Sequence, residues 1–200
     1  RVLVADTGRE APEEAIRFYR QTGWPEEALD VYRARFGGFS RYLHPLPDSY
    51  RRIGDNERIR IGAHTWRVTV GRGHSPEHAC LVSDDLGVLV SGDQVLPRIS
   101  SNVSVFPTEP DADPLGDWIA SLQHLRSTLG NQLLVLPAHG DPFTGLHARL
   151  DRLASGHERG LTRLRRSLAD SPKRAIDVFG ALFARPIDSK GELLGMATGE

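Results

Sequence analysis

A single cysteine, Cys80, among 200 residues rules out an internal disulfide, and with it the disulfide-stapled class of small secreted domain. A reducing, cytoplasmic setting is the matching expectation, and Cys80, set inside an apolar run, reads as a buried inert thiol rather than a nucleophile. No apolar run approaches the length of a membrane span, and the opening residues carry no signal-peptide pattern. Net charge is equally scarce. Lys and Arg number 25 against 26 Asp and Glu, a balance of −1 that gives no general attraction to nucleic acid or to an anionic membrane. Methionine occurs once, at 196, so the segment RVLVADTG opens without a start residue and the chain reads as a piece of something longer.

What is present is the composition of a globular chain, 39% apolar and 26% charged. Pro12 and Pro25 each precede acidic residues and an apolar-periodic run closed by glycine, which predicts helices over Pro12–Gln21 and Pro25–Phe36. RIRIGAHTWRVTV alternates on both sides of Gly62-Ala63 and predicts a hairpin. His78–Val82 and Gly87–Ser91 predict a second strand pair across the Asp84–Gly87 turn. A polar loop then leads to a helix from Pro114 to about Leu129, a strand in QLLVLPAHG, and a long helix over Gly145–Ala169. Pro172 starts a further helix, and Gly191 precedes another. Strand pairs followed by helix, strand and helix describe a layered α/β sandwich.

Three polar residues stand where an apolar strand has just ended: His74 after WRVTVGRG, Asp93 after GVLVSG, and His139 after LLVLPA. Taken singly, each is an ordinary capping or surface residue. Each also has a glycine beside it (Gly73, Gly92, Gly140), as expected where backbone passes close to an ion or to another segment. Imidazole and carboxylate at the ends of neighbouring strands can converge on one point, and that donor pair is typical of catalytic zinc and related metals.

The stretches GRGHSPEH, VLVSGDQVLP and VLPAHGDPF, in that order, resemble the third, fourth and fifth metal-binding motifs of the metallo-β-lactamase fold hydrolases. The likeness covers roughly Arg58 to Leu150, with 19 positions from His74 to Asp93 and 46 from there to His139. It implies an αβ/βα sandwich, here its second half, as a partial domain over residues 1–155. Residues 156–200 would form a small helical, winged-helix-like appendage, which in the family covers the active-site mouth or mediates dimer contacts. The resemblance implies two divalent metal ions, zinc first with iron or manganese as alternatives. His74 would hold the first ion, Asp93 would bridge both as the catalytic carboxylate, and His139 would hold the second. His78 would support the ligands without binding metal. Glu77 and Ala138 stand where the family often has glycine, a departure that touches loop conformation rather than ligands.

The family's His-X-His-X-Asp-His signature is absent from these 200 residues, and His44 and His64 read as ordinary loop and strand residues. Together with the missing start residue, this leads to the expectation that the signature lies before Arg1, so that the 200 residues alone hold half a site and are inactive. Truncation at mid-sandwich would expose apolar sheet residues and leave the chain poorly soluble or drive it into a homodimer. The implied reaction is attack of metal-bound hydroxide on a small-molecule ester, thioester or lactone. The loop after Asp93 offers Arg98, Ser101 and Asn102 as substrate contacts by position. Three rival readings stand beside this one, the last-ranked being an α/β domain with no metal at all, which leaves the three strand-terminal residues a coincidence. The basic residues Arg159, Arg163, Arg165, Arg166, Lys173 and Arg174 would suit an RNA or DNA phosphodiesterase, though no aromatic residues are interleaved among them to stack bases. A degenerate, non-catalytic binding or dimerisation module would explain the missing signature.

Overall fold

In a computed structural model of the chain, residues 10–38, 47–183, 186–187 and 193–200 are described; His44 lies outside them. The chain divides into two compact units.

The sheet forms the first. β1 (Arg58–Ile61), β2 (His64–Gly71), β3 (His78–Ser83), β4 (Val88–Gly92) and β5 (Leu134–Pro137) lie side by side in sequence order. The first four pair antiparallel through short turns, as the alternating runs predict, whereas β5 joins β4 in parallel. A parallel neighbour needs a crossover, here the segment from Asp93 to Leu133 with helix α3 (Pro114–Thr128) inside it. That helix starts where its sequence says it should: Asp113 accepts from the Gly116 N–H at 2.8 Å, and Pro114 takes the first helical position. α4 (Leu146–Ser167) brings no capping side chain of its own at its start, and Asn131 Oδ1 accepts from the His147 N–H at 2.9 Å instead.

Register decides which side chains are buried. Val82, Leu89 and Val135 share one cross-strand row, are at most 1% exposed, and pack with Cys80 against Trp118 and Leu122 of α3 and Leu146 and Leu150 of α4. Leu81, Val90 and Leu136, one position along, face the opposite way and are only half-buried. β4 also carries a bulge: Val90 faces Leu136 and Gly92 faces Pro137, so Ser91 is extra. Such an insertion bends the strand end and re-aims the residues just beyond it.

The second unit groups α1 (Glu13–Gln21) and α2 (Glu26–Arg35) with the C-terminal helices, of which α6 is Leu193–Gly199. Its core is Ile16, Leu29 and Leu194 beside a stacked Tyr19–Trp24 pair with ring centroids 4.1 Å apart. The Trp24 indole N–H donates to Thr198 Oγ1 at 2.9 Å. The helix expected from Pro172 is replaced by a 3-10 turn, Ala175–Val178, running into α5 (Phe179–Leu182). The cause is local: the Asp177 carboxylate accepts from both the backbone N–H (3.2 Å) and the guanidinium (2.9 Å) of Arg174, which closes a tight turn there. Among the described residues no helix is long and apolar enough to cross a membrane.

Candidate metal centre

Strand direction brings the site together. β2 and β4 are both antiparallel to β3, and β5 is parallel to β4, so β2, β4 and β5 all end at the same edge of the sheet. His74 follows the end of β2, Asp93 follows β4 directly, and His139 follows β5. His78 opens β3 at that same edge. The carboxyl ends of strands beside a parallel pair are where open α/β sheets bind ligands, because backbone and loops diverge there and leave room.

The distances agree with this placement. Asp93 Oδ1 lies 3.3 Å from His139 Nε2, and its Oδ2 lies 3.8 Å from His74 Nε2, so one carboxylate has an imidazole on each oxygen. His74 and Asp93 are about 30% exposed and His139 70%, so the cluster opens to solvent on the His139 side.

His74 is also oriented from behind. Its Nδ1 is 2.7 Å from the Asn102 carbonyl oxygen, which can only accept, so Nδ1 carries a proton and, in the neutral ring, Nε2 holds the lone pair on the side of Asp93. A backbone carbonyl fixing the tautomer in this way is the usual support of a metal-binding histidine. His78 sits close behind: a Cβ at Gly92 would come within 2.5 Å of its Nε2, and Gly92 itself has φ +54°. The positive φ is what favours glycine at 92, and the close approach is to the tip of a side chain that can turn aside. Burial first, and then the neighbouring His74, lower the His78 imidazole below its ordinary value against the opposing pull of Asp93 and the Ser91 backbone. Gly73, with φ +100°, presses against α3, where a Cβ would lie 2.5 Å from Trp118 Cβ.

Among the described residues no group of three or more His, Cys, Asp or Glu side chains is arranged to hold a metal ion. His74, Asp93 and His139 meet in pairs around the carboxylate instead. Their donor chemistry, two imidazoles and one carboxylate, fits a divalent first-row ion with coordination positions left open, and falls short of the four protein donors of a structural site.

The loop after Asp93 is tied down at several points. The Ser101 hydroxyl, 5% exposed, donates back to the Asp93 carbonyl oxygen, and Asn102 Oδ1 accepts from Ser104 Oγ at 2.5 Å. Arg98 is exposed and lies 3.8 Å from Asp141, just beyond His139. Arg149 of α4 is 9% exposed and donates through Nε to the Leu96 carbonyl (2.6 Å) and through Nη2 to the Ile99 carbonyl (2.7 Å). Sequence reading passed over Arg149. The available signal was its place among Leu146, Leu150 and Leu153, on the stripe of α4 that faces the core.

Comparison with known proteins places the chain among relatives. Residues 6–139 match the family described as the metallo-beta-lactamase superfamily. The crystal structure of a beta-lactamase domain protein from Burkholderia ambifaria superposes with a TM-score of 0.79 at 35% identity, covering 100% of this chain and 52% of that one. The probable metallo-hydrolase YqjP of Bacillus subtilis (strain 168) is 30% identical over 125 residues, 61% of this chain and 39% of that protein. An atrochrysone carboxyl ACP thioesterase of Aspergillus fumigatus is 31% identical over 115 residues, 56% of this chain and 24% of that protein. The chain thus spans about half of the Burkholderia protein and a smaller share of the two curated relatives.

Proposed function

Because this chain belongs to the metallo-β-lactamase superfamily, we propose that the complete protein acts as a metal-dependent hydrolase of small-molecule esters, thioesters or lactones, to whose site these residues contribute a part. The observation that carries the reading is the pinned tautomer of His74, whose Nε2 faces a carboxylate that His139 flanks on the other side. Two divalent ions, zinc first, are the proposed cofactors, with iron or manganese as alternatives. His74 would hold one, His139 the other, and Asp93 both.

When bound, such ions would lower the pKa of a coordinated water toward about 7 and polarise a carbonyl oxygen. The chain's own residues do the rest. Asn102 holds the His74 ring through Nδ1, which leaves Nε2 as the nitrogen turned to Asp93, and burial lowers the His78 imidazole beside the site below its ordinary value. Asp93 supplies the negative charge that offsets the metals. Of the loop residues, Arg98 extends into solvent close to the His139 turn and is the proposed contact for a substrate carboxylate or carbonyl. Ser101 and Asn102 would act through the backbone that they shape, since their side chains are hydrogen-bonded within the loop. A thioester is favoured by the relative named as an ACP thioesterase. A buried free thiol at Cys80 suits the reducing cytoplasm.

The test is turnover of an acyl thioester, a nitrophenyl ester and a phosphodiester by the complete protein and by its Asp93→Asn variant, with and without chelator. Thioester or ester cleavage lost in both the variant and the chelated enzyme supports the reading. Undiminished cleavage by Asp93→Asn refutes it, and cleavage of the phosphodiester alone moves the substrate class to nucleic acid.

A further inference from the structure

We infer that Arg149 is a positioning residue for the metal centre: from α4 it sets the curve of the loop that leaves Asp93 and returns to His74. The inference rests on the reading of His74 and Asp93 as metal ligands.

The loop from Gln94 to Asn102 begins at one candidate ligand and ends against the back of the other. At its start, Asp93 is tied to the loop by the Ser101 hydroxyl. At its end, the Asn102 carbonyl takes the His74 Nδ1 proton. Between these ends the chain has no regular secondary structure, so something other than a ladder must fix its path. Arg149 does so with one rigid group. Its planar guanidinium donates to the carbonyls of Leu96 and Ile99 at 2.6 and 2.7 Å, which sets the turn between them. Two helical turns further on, His157 Nε2 lies 3.1 Å from Ser100 Oγ, a second tether from the same helix to the same loop.

The choice of residue supports this role over a purely structural one. Arg149 is 9% exposed on the stripe that carries Leu146, Leu150 and Leu153, and no carboxylate pairs with it among the described residues. A buried cation without an anion contributes less to folding than an apolar side chain of similar size would. What it supplies that leucine or methionine cannot is direction: two donors fixed in one plane. Lysine offers a single ammonium on a flexible stem and would hold one carbonyl well, not two.

The experiment uses the protein with Arg149→Met and Arg149→Lys. The first readout needs no metal: side-chain ¹⁵N shifts of His74, which report whether the neutral ring carries its proton on Nδ1. The second is zinc affinity by competition with a chromophoric chelator, set against thermal stability. The expected result is a His74 ring that is Nδ1-protonated in the wild type and a tautomer mixture in Arg149→Met. Zinc affinity should be about tenfold weaker, the scale for losing a group that orients a ligand, without a matching fall in Tm. Arg149→Lys should fall between, and it carries the test alone if Arg149→Met does not fold. An unchanged tautomer in the folded variants, or a zinc loss that merely tracks Tm, overturns the inference. A wild type that binds no zinc refutes the metal reading instead, and the tautomer still decides whether Arg149 governs His74.

Discussion

Replacing Gly73 by alanine separates two costs that the structure assigns to one position. The backbone at 73 has φ +100°, a conformation that costs an L-residue about 1–2 kcal/mol. The added methyl would also lie 2.5 Å from Trp118 Cβ, 2.7 Å from Trp118 Cα and 2.7 Å from the Pro114 carbonyl oxygen. These are helix atoms with no rotamer to swing away, so α3 or the strand end must shift, at about 1–3 kcal/mol. The expected sum is about 2–5 kcal/mol, a large part of the 5–15 kcal/mol typical of a folded domain. Gly87 provides the control. Its φ is +66° and nothing lies within 4 Å of its Cβ direction, so Gly87→Ala should show the backbone cost alone, about 1–2 kcal/mol. Urea unfolding followed by tryptophan fluorescence measures both, since Trp118 is fully buried against the sheet. Gly73→Ala should unfold at the lower midpoint. Equal destabilisation of the two variants would mean that α3 does not press on the strand end before His74.

Three other groups have outcomes of their own. Burial pushes the Cys80 thiol up to about 12, so a disulfide exchange reagent should leave it unmodified in the native protein and react only on unfolding; fast native labelling would contradict this. Burial lowers the His157 imidazole below the unfolded value near 6.5, so the unfolded chain takes up its proton first as pH falls. That contribution is complete above pH 6.5 and is lost as pH drops toward the folded value, so His157→Gln should flatten the fall in urea midpoint between pH 7.5 and 5.5; an unchanged slope would remove His157 from the account. Asn131→Ala removes the acceptor at the start of α4 and should cost about 1 kcal/mol, read from the same urea transitions, with no loss placing the cap elsewhere.

The strand ends were legible because alternation stops abruptly at them, and a glycine beside a polar residue is hard to explain by packing alone. Helices α1 to α4 were legible through their proline starts and leucine periods, to within a residue or two. Pairing direction was not. Nothing in LLVLPA says that β5 runs parallel to β4, yet that choice is what puts His139 on the same edge as Asp93. The tethers were hidden for another reason. The Asn102–His74 and Arg149–Leu96 bonds use backbone carbonyls, which every residue carries and no sequence pattern marks. Pro172 misled because proline marks a start without specifying the helix type, and the Arg174–Asp177 clamp selected a 3-10 turn.

Zinc binding decides whether Asp93, between His74 and His139, belongs to a metal centre. Equilibrium competition with a chromophoric chelator would be run on the wild type and on Asp93→Asn, which keeps shape and removes charge, with unfolding curves confirming that both are folded. Zinc should bind the wild type, with an affinity at least tenfold weaker in the variant. Equal affinities in two folded proteins, or none in either, would contradict it.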